Sequence, residues 1–347
     1  MLNDSRLLVL VVVAGLVACT PARVAGPNPA PPADGAADAV SPTPDVTADD
    51  TTATDEDLEA RLVEMARTTR GPDASLLPIK PVGISWSSEP REGSPLGIVL
   101  HDRPTGRAPV GIEGRLADRG VTFGRLRGQW FGIAAVPIGT SGPQVLTLRL
   151  SFEDESDYEQ TVELDVRPTR FASTNLRVDS RFSSPPADVL ERIREEREFV
   201  RGLLGTVTPE WLLDAPFEPP RPIDVTSPFG QARMFNGELR SRHTGLDLRG
   251  RPGAPVKAAG RGRVAFAGNL YFAGNAVYVD HGLGVYTGYF HLSRILVAAG
   301  DEVLPGDLIG EVGATGRVTG AHLHWYLSVG GQSLDAGSLL DLKLPDR

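Results

Sequence analysis

The sequence predicts a mainly β protein: an immunoglobulin-like β-sandwich, one connecting helix, and a C-terminal all-β domain built on an antiparallel sheet. Three observations predict it. Short runs of alternating apolar and polar residues recur from residue 76 onward, the period of half-buried strands. Turn-forming Gly, Pro, Asp and Ser separate those runs at short intervals. One long stretch, Pro186 to Leu204, carries its apolar residues at helical spacing.

Residues 1–19 read as a lipoprotein signal peptide. Leu7 to Ala18 is an uninterrupted apolar run, too short to span a membrane as a mature helix but suited to a signal core. Leu16-Val17-Ala18-Cys19 resembles the bacterial lipobox, whose cysteine is acylated and becomes the new N-terminus. Cys19 is the only cysteine, so the chain holds no internal disulfide and no cysteine zinc site. Residues 20–75 form a Pro/Ala/Asp/Thr tether too poor in apolar side chains to bury a core, with one short helix suggested by Leu58, Leu62 and Met65.

Residues 76–170 make the sandwich. Its strands are expected at Gly97–Leu100, Trp130–Val136, Gln144–Phe152 and Tyr158–Val166, and its histidine, His101, is expected in a loop. Residues 171–221 form the helical connector, with Val189, Ile193, Val200, Leu203 and Leu204 as its apolar stripe. Residues 222–347 are the C-terminal domain, with strands at Val264–Ala267, Ala276–Asp280 and Val285–Leu292. His281 falls in the turn between the last two.

The net charge of −9 is concentrated near the N-terminus, because nine acidic and no basic residues lie between Val24 and Ala60. From Pro222 onward 12 basic residues face 11 acidic ones, and no basic face argues for nucleic acid.

Four of the six histidines occupy three places in the C-terminal domain: His243-Thr-Gly-Leu-Asp247, Tyr289-Phe-His291, and Gly320-Ala-His-Leu-His324. In the last of these, His322 and His324 share the polar face of a strand whose other face is Leu323, Trp325, Leu327 and Val329. Catalytic zinc takes three protein ligands from His, Asp or Glu and leaves a position for water. His243, Asp247 and one of the His322/His324 pair meet that need; the other member and His291 are left for proton transfer. Spacing does not say which of the pair touches metal. A zinc hydrolase is the reading this clustering favours over a structural zinc.

These residues resemble the M23 (LytM/lysostaphin-like) peptidoglycan endopeptidases. His-x3-Asp, Tyr-x-His-Leu-Ser and His-x-His stand in the family's order. Around them Ser227-Pro-Phe-Gly230, Gly253-Ala-Pro-Val-Lys-Ala-Ala259, Gly306-Asp-Leu-Ile-Gly310 and Gly313-Ala-Thr-Gly316 continue the likeness over roughly 120 residues. The resemblance implies a compact all-β M23 peptidase domain at 222–347, one zinc per chain on His243, Asp247 and His324, and His291 and His322 as catalytic histidines. It implies that His291 helps zinc stabilise the oxyanion and that His322 is the general base or orients water, roles that can be exchanged. Where some members carry a tyrosine before the first ligand, this chain has Phe235.

The function expected is hydrolysis of peptide bonds in peptidoglycan. The alternative is a catalytically inactive relative that binds and activates other cell-wall hydrolases. The expected partners are peptidoglycan, a membrane reached through acylated Cys19, and possible companion hydrolases. The expected location is the bacterial cell envelope, on the outer membrane facing the periplasm.

Overall fold

The computed structural model describes residues 82–102, 108–176, 189–235 and 238–346. Cys19, the tether and its short helix therefore lie outside the described residues. Among the described residues no helix is long and apolar enough to cross a membrane.

The first domain is antiparallel throughout: β1 (Val82–Trp86), β2 (Pro95–Asp102), β3 (Gly111–Leu116), β4 (Arg119–Leu126), β5 (Gln129–Ala135), β6 (Gly142–Ser151) and β7 (Asp157–Val166). They run in the order β1-β2-β5-β4-β3-β6-β7. β4 pairs with β3 through residues 119–122 and with β5 through residues 123–126, so one strand bends from one layer into the other. Leu96, Ile98, Leu100, Leu146, Leu148 and Leu150, all essentially inaccessible, fill the space between. The order differs from the separate four- and three-stranded sheets of an immunoglobulin domain. β3 and β4 had no strong sequence signal, because glycines dilute their alternation.

His101 is not in a loop. It lies on β2 opposite Gly83, and its Nε2 is 2.7 Å from Ser85 Oγ. The strand simply runs further than its apolar segment.

β5 is buried on both faces, which explains its nearly continuous apolar sequence. Trp130 and Ala134 face the sandwich interior. Phe131, Ile133 and Ala135 instead join the core of the second domain, where Phe131 packs on Trp211 at 5.4 Å and accepts the Trp211 indole N–H on its carbonyl. One face of β5 thus belongs to the core of the second domain.

The connector contributes a strand as well as a helix. β8 (Ser173–Leu176) precedes α1 (Leu190–Gly205), whose Ile193 and Leu204 are buried. Val200, Leu203 and Leu204 pack on Leu270, Tyr278, Phe290 and Tyr326 of the second domain. The charged face carries the i,i+4 pair Arg192–Glu196 at 2.6 Å, a surface contribution of about 0.3–0.5 kcal/mol; apolar contact, not charge, docks the helix.

The second domain contains β9 (Val225–Ser227), β10 (Ala232–Phe235), β11 (Glu238–Arg242), β12 (Gly245–Arg249), β13 (Pro255–Lys257), β14 (Gly262–Leu270), β15 (Gly274–Asp280) and β16 (Val285–Ile295). β17 (Glu302–Val303), β18 (Leu308–Val312), β19 (His322–Val329) and β20 (Gln332–Leu334) complete it. The main sheet runs β17-β14-β15-β16-β19-β12-β9, all antiparallel. β8 pairs parallel with β10, which forms a hairpin with β11, making a small separate sheet. On β19, Leu323, Trp325 and Leu327 are fully buried in the core, so the alternation leaves His322, His324 and Tyr326 on the opposite face. His281 lies in the β15–β16 turn yet is fully buried. Its Nδ1 donates to the Arg261 carbonyl and its Nε2 lies 2.8 Å from Thr287 Oγ1.

Candidate active site

Adjacent strands bring the predicted residues together. β12 and β19 pair with Asp247 opposite His324, and His243 stands two residues before β12 begins. His243 Nε2 is 3.1 Å from His324 Nδ1 and 3.1 Å from Asp247 Oδ1, and His324 Nδ1 is 2.9 Å from the same oxygen. All three residues are buried.

Second partners aim these groups. His243 Nδ1 lies 2.9 Å from the Pro228 carbonyl, which can only accept, so the proton sits on Nδ1 and Nε2 carries a lone pair. The His324 ring stacks on Phe290, with centroids 5.2 Å apart and planes 10° from parallel. Gly245 makes the approach possible: a Cβ there would stand 2.3 Å from His324 Nε2 and 2.7 Å from the Trp325 carbonyl oxygen.

Two further histidines complete the group. His322 Nε2 is 3.5 Å from Asp247 Oδ1, and its Nδ1 donates to the Gly320 carbonyl at 2.9 Å. The His291 ring centre lies 4.9 Å from that of His322 and 5.8 Å from that of His324. On a regular strand His291 would face the core, since Tyr289 does and Phe290 faces the site. Instead the β15–β16 register slips here, Asn275 pairing with Leu292 but Val277 with Tyr289. This bulge, with His291 at φ +63°, turns its ring to the site side. His291 Nδ1 then donates to the Thr315 carbonyl at 3.0 Å. Thr315 comes that close because Gly274 and Gly316 cross it without side chains: a Cβ on Gly274 would stand 2.3 Å from the Thr315 carbonyl carbon.

The electrostatics follow from burial against charge. Burial alone would raise the Asp247 pKa, but the imidazoles of His243, His322 and His324 around it outweigh burial and hold the carboxyl well below its usual range. Burial, with His324 and His322 nearby, lowers His291 to about 3. Burial also opposes charge on His322, yet Asp247 overrides it and the His322 pKa is raised. His324 is lowered by burial despite Asp247.

A metal fits this arrangement. His243 Nε2 and Asp247 Oδ1 are both acceptors, and they face each other at 3.1 Å, a contact that is repulsive unless a cation or proton lies between them. Tetrahedral zinc with ligands at about 2.0–2.1 Å sets its ligand atoms roughly 3.3–3.4 Å apart, close to the spacing found. The site opens into a cleft of about 430 Å³. Sequence reasoning missed the carbonyls of Pro228, Thr315 and Gly320 that set the three tautomers, because a backbone partner leaves no residue signature.

A buried set of three possible metal donors stands on a sheet floor with two further imidazoles beside it. Residues 241–336, which contain all five site residues, match the model of peptidase family M23. It is 38% identical over 130 residues to the peptidoglycan DD-endopeptidase ShyA of Vibrio cholerae, covering 38% of this chain and 28% of that protein. It is 40% identical over 115 residues to the DD-carboxypeptidase/endopeptidase Mpg of Neisseria meningitidis, covering 33% of this chain and 26% of that protein. The chain thus spans little more than a quarter of the curated relatives it matches. A crystal structure from Pseudomonas aeruginosa assigned to peptidase M23 superposes with a TM-score of 0.54 at 26% identity, covering 74% of this chain and 97% of that one.

Proposed function

We propose that this protein is a zinc metalloendopeptidase that hydrolyses peptide bonds of peptidoglycan, with His243, Asp247 and His324 holding one zinc and His291 and His322 catalytic. The observation that carries the reading is the convergence of three buried donor atoms within about 3 Å of one another, next to two histidines whose Nε2 atoms are left for other work. Zinc bound there would lower the pKa of bound water to about 7 and polarise the scissile carbonyl. The chain's own groups supply the rest. His291 and His322 each have Nδ1 held by a backbone carbonyl, so in the neutral form each Nε2 accepts a proton. One takes the proton of the attacking water and passes it to the leaving amine; the other, protonated, donates to the oxyanion. Pairing with β19 and β16 fixes the groups on a rigid floor, so little geometry remains to be arranged when substrate enters.

The test is digestion of purified sacculi by the zinc-loaded chain, with mass spectrometry of the released fragments. Cleaved cross-links or stems support the reading. A zinc-loaded chain that releases nothing yet stimulates a separate wall hydrolase would overturn it in favour of the regulator.

We further propose that the protein is exported and anchored through acylated Cys19, on the outer membrane facing the periplasm. The apolar run before Cys19 and the acidic, Pro-bearing segment after it support this reading. Fractionation of cells carrying native chain or Cys19→Ser tests it; equal release of both into the soluble fraction would refute the anchor.

A further inference from the structure

The cleft carries more positive charge than its hydrolytic residues call for. Arg233, Arg249 and Arg317 line it against one acidic residue, Asp247, so three against one leaves an excess of two positive charges in a chain of net −9. Asp247 faces three histidines through Oδ1 and forms no ion pair with these arginines.

The three arginines differ. Arg249 is exposed, and its Nε donates to Asp224 at 2.7 Å. Arg233 and Arg317 have no carboxylate partner among the described residues. Arg233 is on β10, held in place by pairing with Thr174 on one side and Ser241 on the other. Arg317 is half-buried; its guanidinium carbon is 5.5 Å from the Phe272 ring centre, and its backbone N–H donates to the Phe272 carbonyl at 3.0 Å. Burial lowers the Arg317 pKa, Tyr271 works against this, and the charge of Arg233 lowers it further, so the two cations lining the cleft feel each other. Two like charges, one of them stripped of part of its water, are unfavourable as they stand. An anion entering the cleft would relieve both costs at once.

We propose that Arg233 and Arg317 bind a free carboxylate of the peptide substrate, on a residue flanking the scissile amide. The inference rests on the peptidase reading above and deepens it. Guanidinium groups match carboxylates in planar, two-point geometry, and such charge-assisted bonds are stronger than neutral ones. The consequence is selectivity. Wall peptides with a carboxylate beside the bond are favoured over bridges built only of uncharged residues, and converting that carboxylate to a carboxamide removes the advantage.

The experiment uses the full zinc-loaded chain and synthetic cross-linked wall peptides. These carry the flanking carboxylate as acid or carboxamide, each with a free or amidated C-terminus. Fluorescence polarisation measures binding of versions whose scissile amide is N-methylated against turnover, while chromatography follows hydrolysis of the unmodified versions. The acid is expected to bind at least tenfold more tightly than the carboxamide. Arg317→Gln and Arg233→Gln should each bring that ratio within about twofold of unity, Arg317→Lys should do so in part, and Arg249→Gln should leave it in place. A preference that follows the C-terminal carboxylate instead would identify the other source of the same group. Equal binding of all four peptides by the native chain, or a preference that survives both Gln substitutions, overturns the clamp. Hydrolysis without discrimination rejects the clamp and keeps the peptidase; discrimination without hydrolysis keeps the clamp and rejects the peptidase.

Discussion

Gly245→Ala is the sharpest test of how the metal site is built. The backbone at Gly245 is outside the left-handed region, so an alanine meets no conformational penalty there and the effect is steric. Its Cβ would stand 2.3 Å from His324 Nε2, 2.8 Å from His324 Cε1 and 2.7 Å from the Trp325 carbonyl oxygen. None of these atoms can yield easily. The carbonyl belongs to β19, and the His324 ring is wedged between Phe290 at 5.2 Å and His243 at 4.9 Å. Overpacking of this kind costs about 1–3 kcal/mol. Loss of ligand orientation typically costs 10–100-fold in metal affinity. Spread over a cooperative unit of this size, the stability loss lowers Tm by roughly 2–12 °C. Thermal melts and zinc competition titration read the two effects separately. Gly202→Ala, where nothing lies within 4 Å of the new Cβ, is the control and should be neutral or stabilising by up to about 1 kcal/mol. Native zinc affinity and Tm in Gly245→Ala would refute the packing argument.

Three further outcomes are expected. His291→Ala should keep its zinc by metal analysis while losing hydrolysis by about 100-fold or more, because His291 is outside the donor set; loss of zinc would contradict that division. His281 is held near pKa 4 by burial, below its unfolded value of about 6.5, so the unfolded chain binds the extra proton between those values. Stability is therefore full above about pH 6.5 and falls toward pH 4, by on the order of 3 kcal/mol from this residue; His281→Asn should flatten that part of the denaturation profile. Phe131→Ala should cost about 3–5 kcal/mol and weaken both domains in one transition, whereas separate calorimetric transitions would show that β5 does not couple them.

Much of the site was legible in the sequence because its information is local. Period-two alternation alone put His322 and His324 on one face of β19, and the structure places them there opposite fully buried Leu323 and Trp325. The ordered motifs fall within the segment that matches the M23 family model, and the helical spacing of Ile193, Val200 and Leu204 marked the helix at Leu190–Gly205. Other features depend on partners far apart in the chain. Regular alternation would turn His291 into the core, and only the bulge opposite Ala276 brings it to the cleft. Arg233 reaches the cleft because β10 pairs with β8, from the segment that read as a helical connector. The apolar run of β5 was plain to see, but that its second face would bury against the other domain is decided by long-range packing. Residue type and spacing fix which face a side chain takes within one element, because the backbone period is local. Which elements then meet depends on pairing and core packing between segments distant in sequence, and no local pattern encodes that.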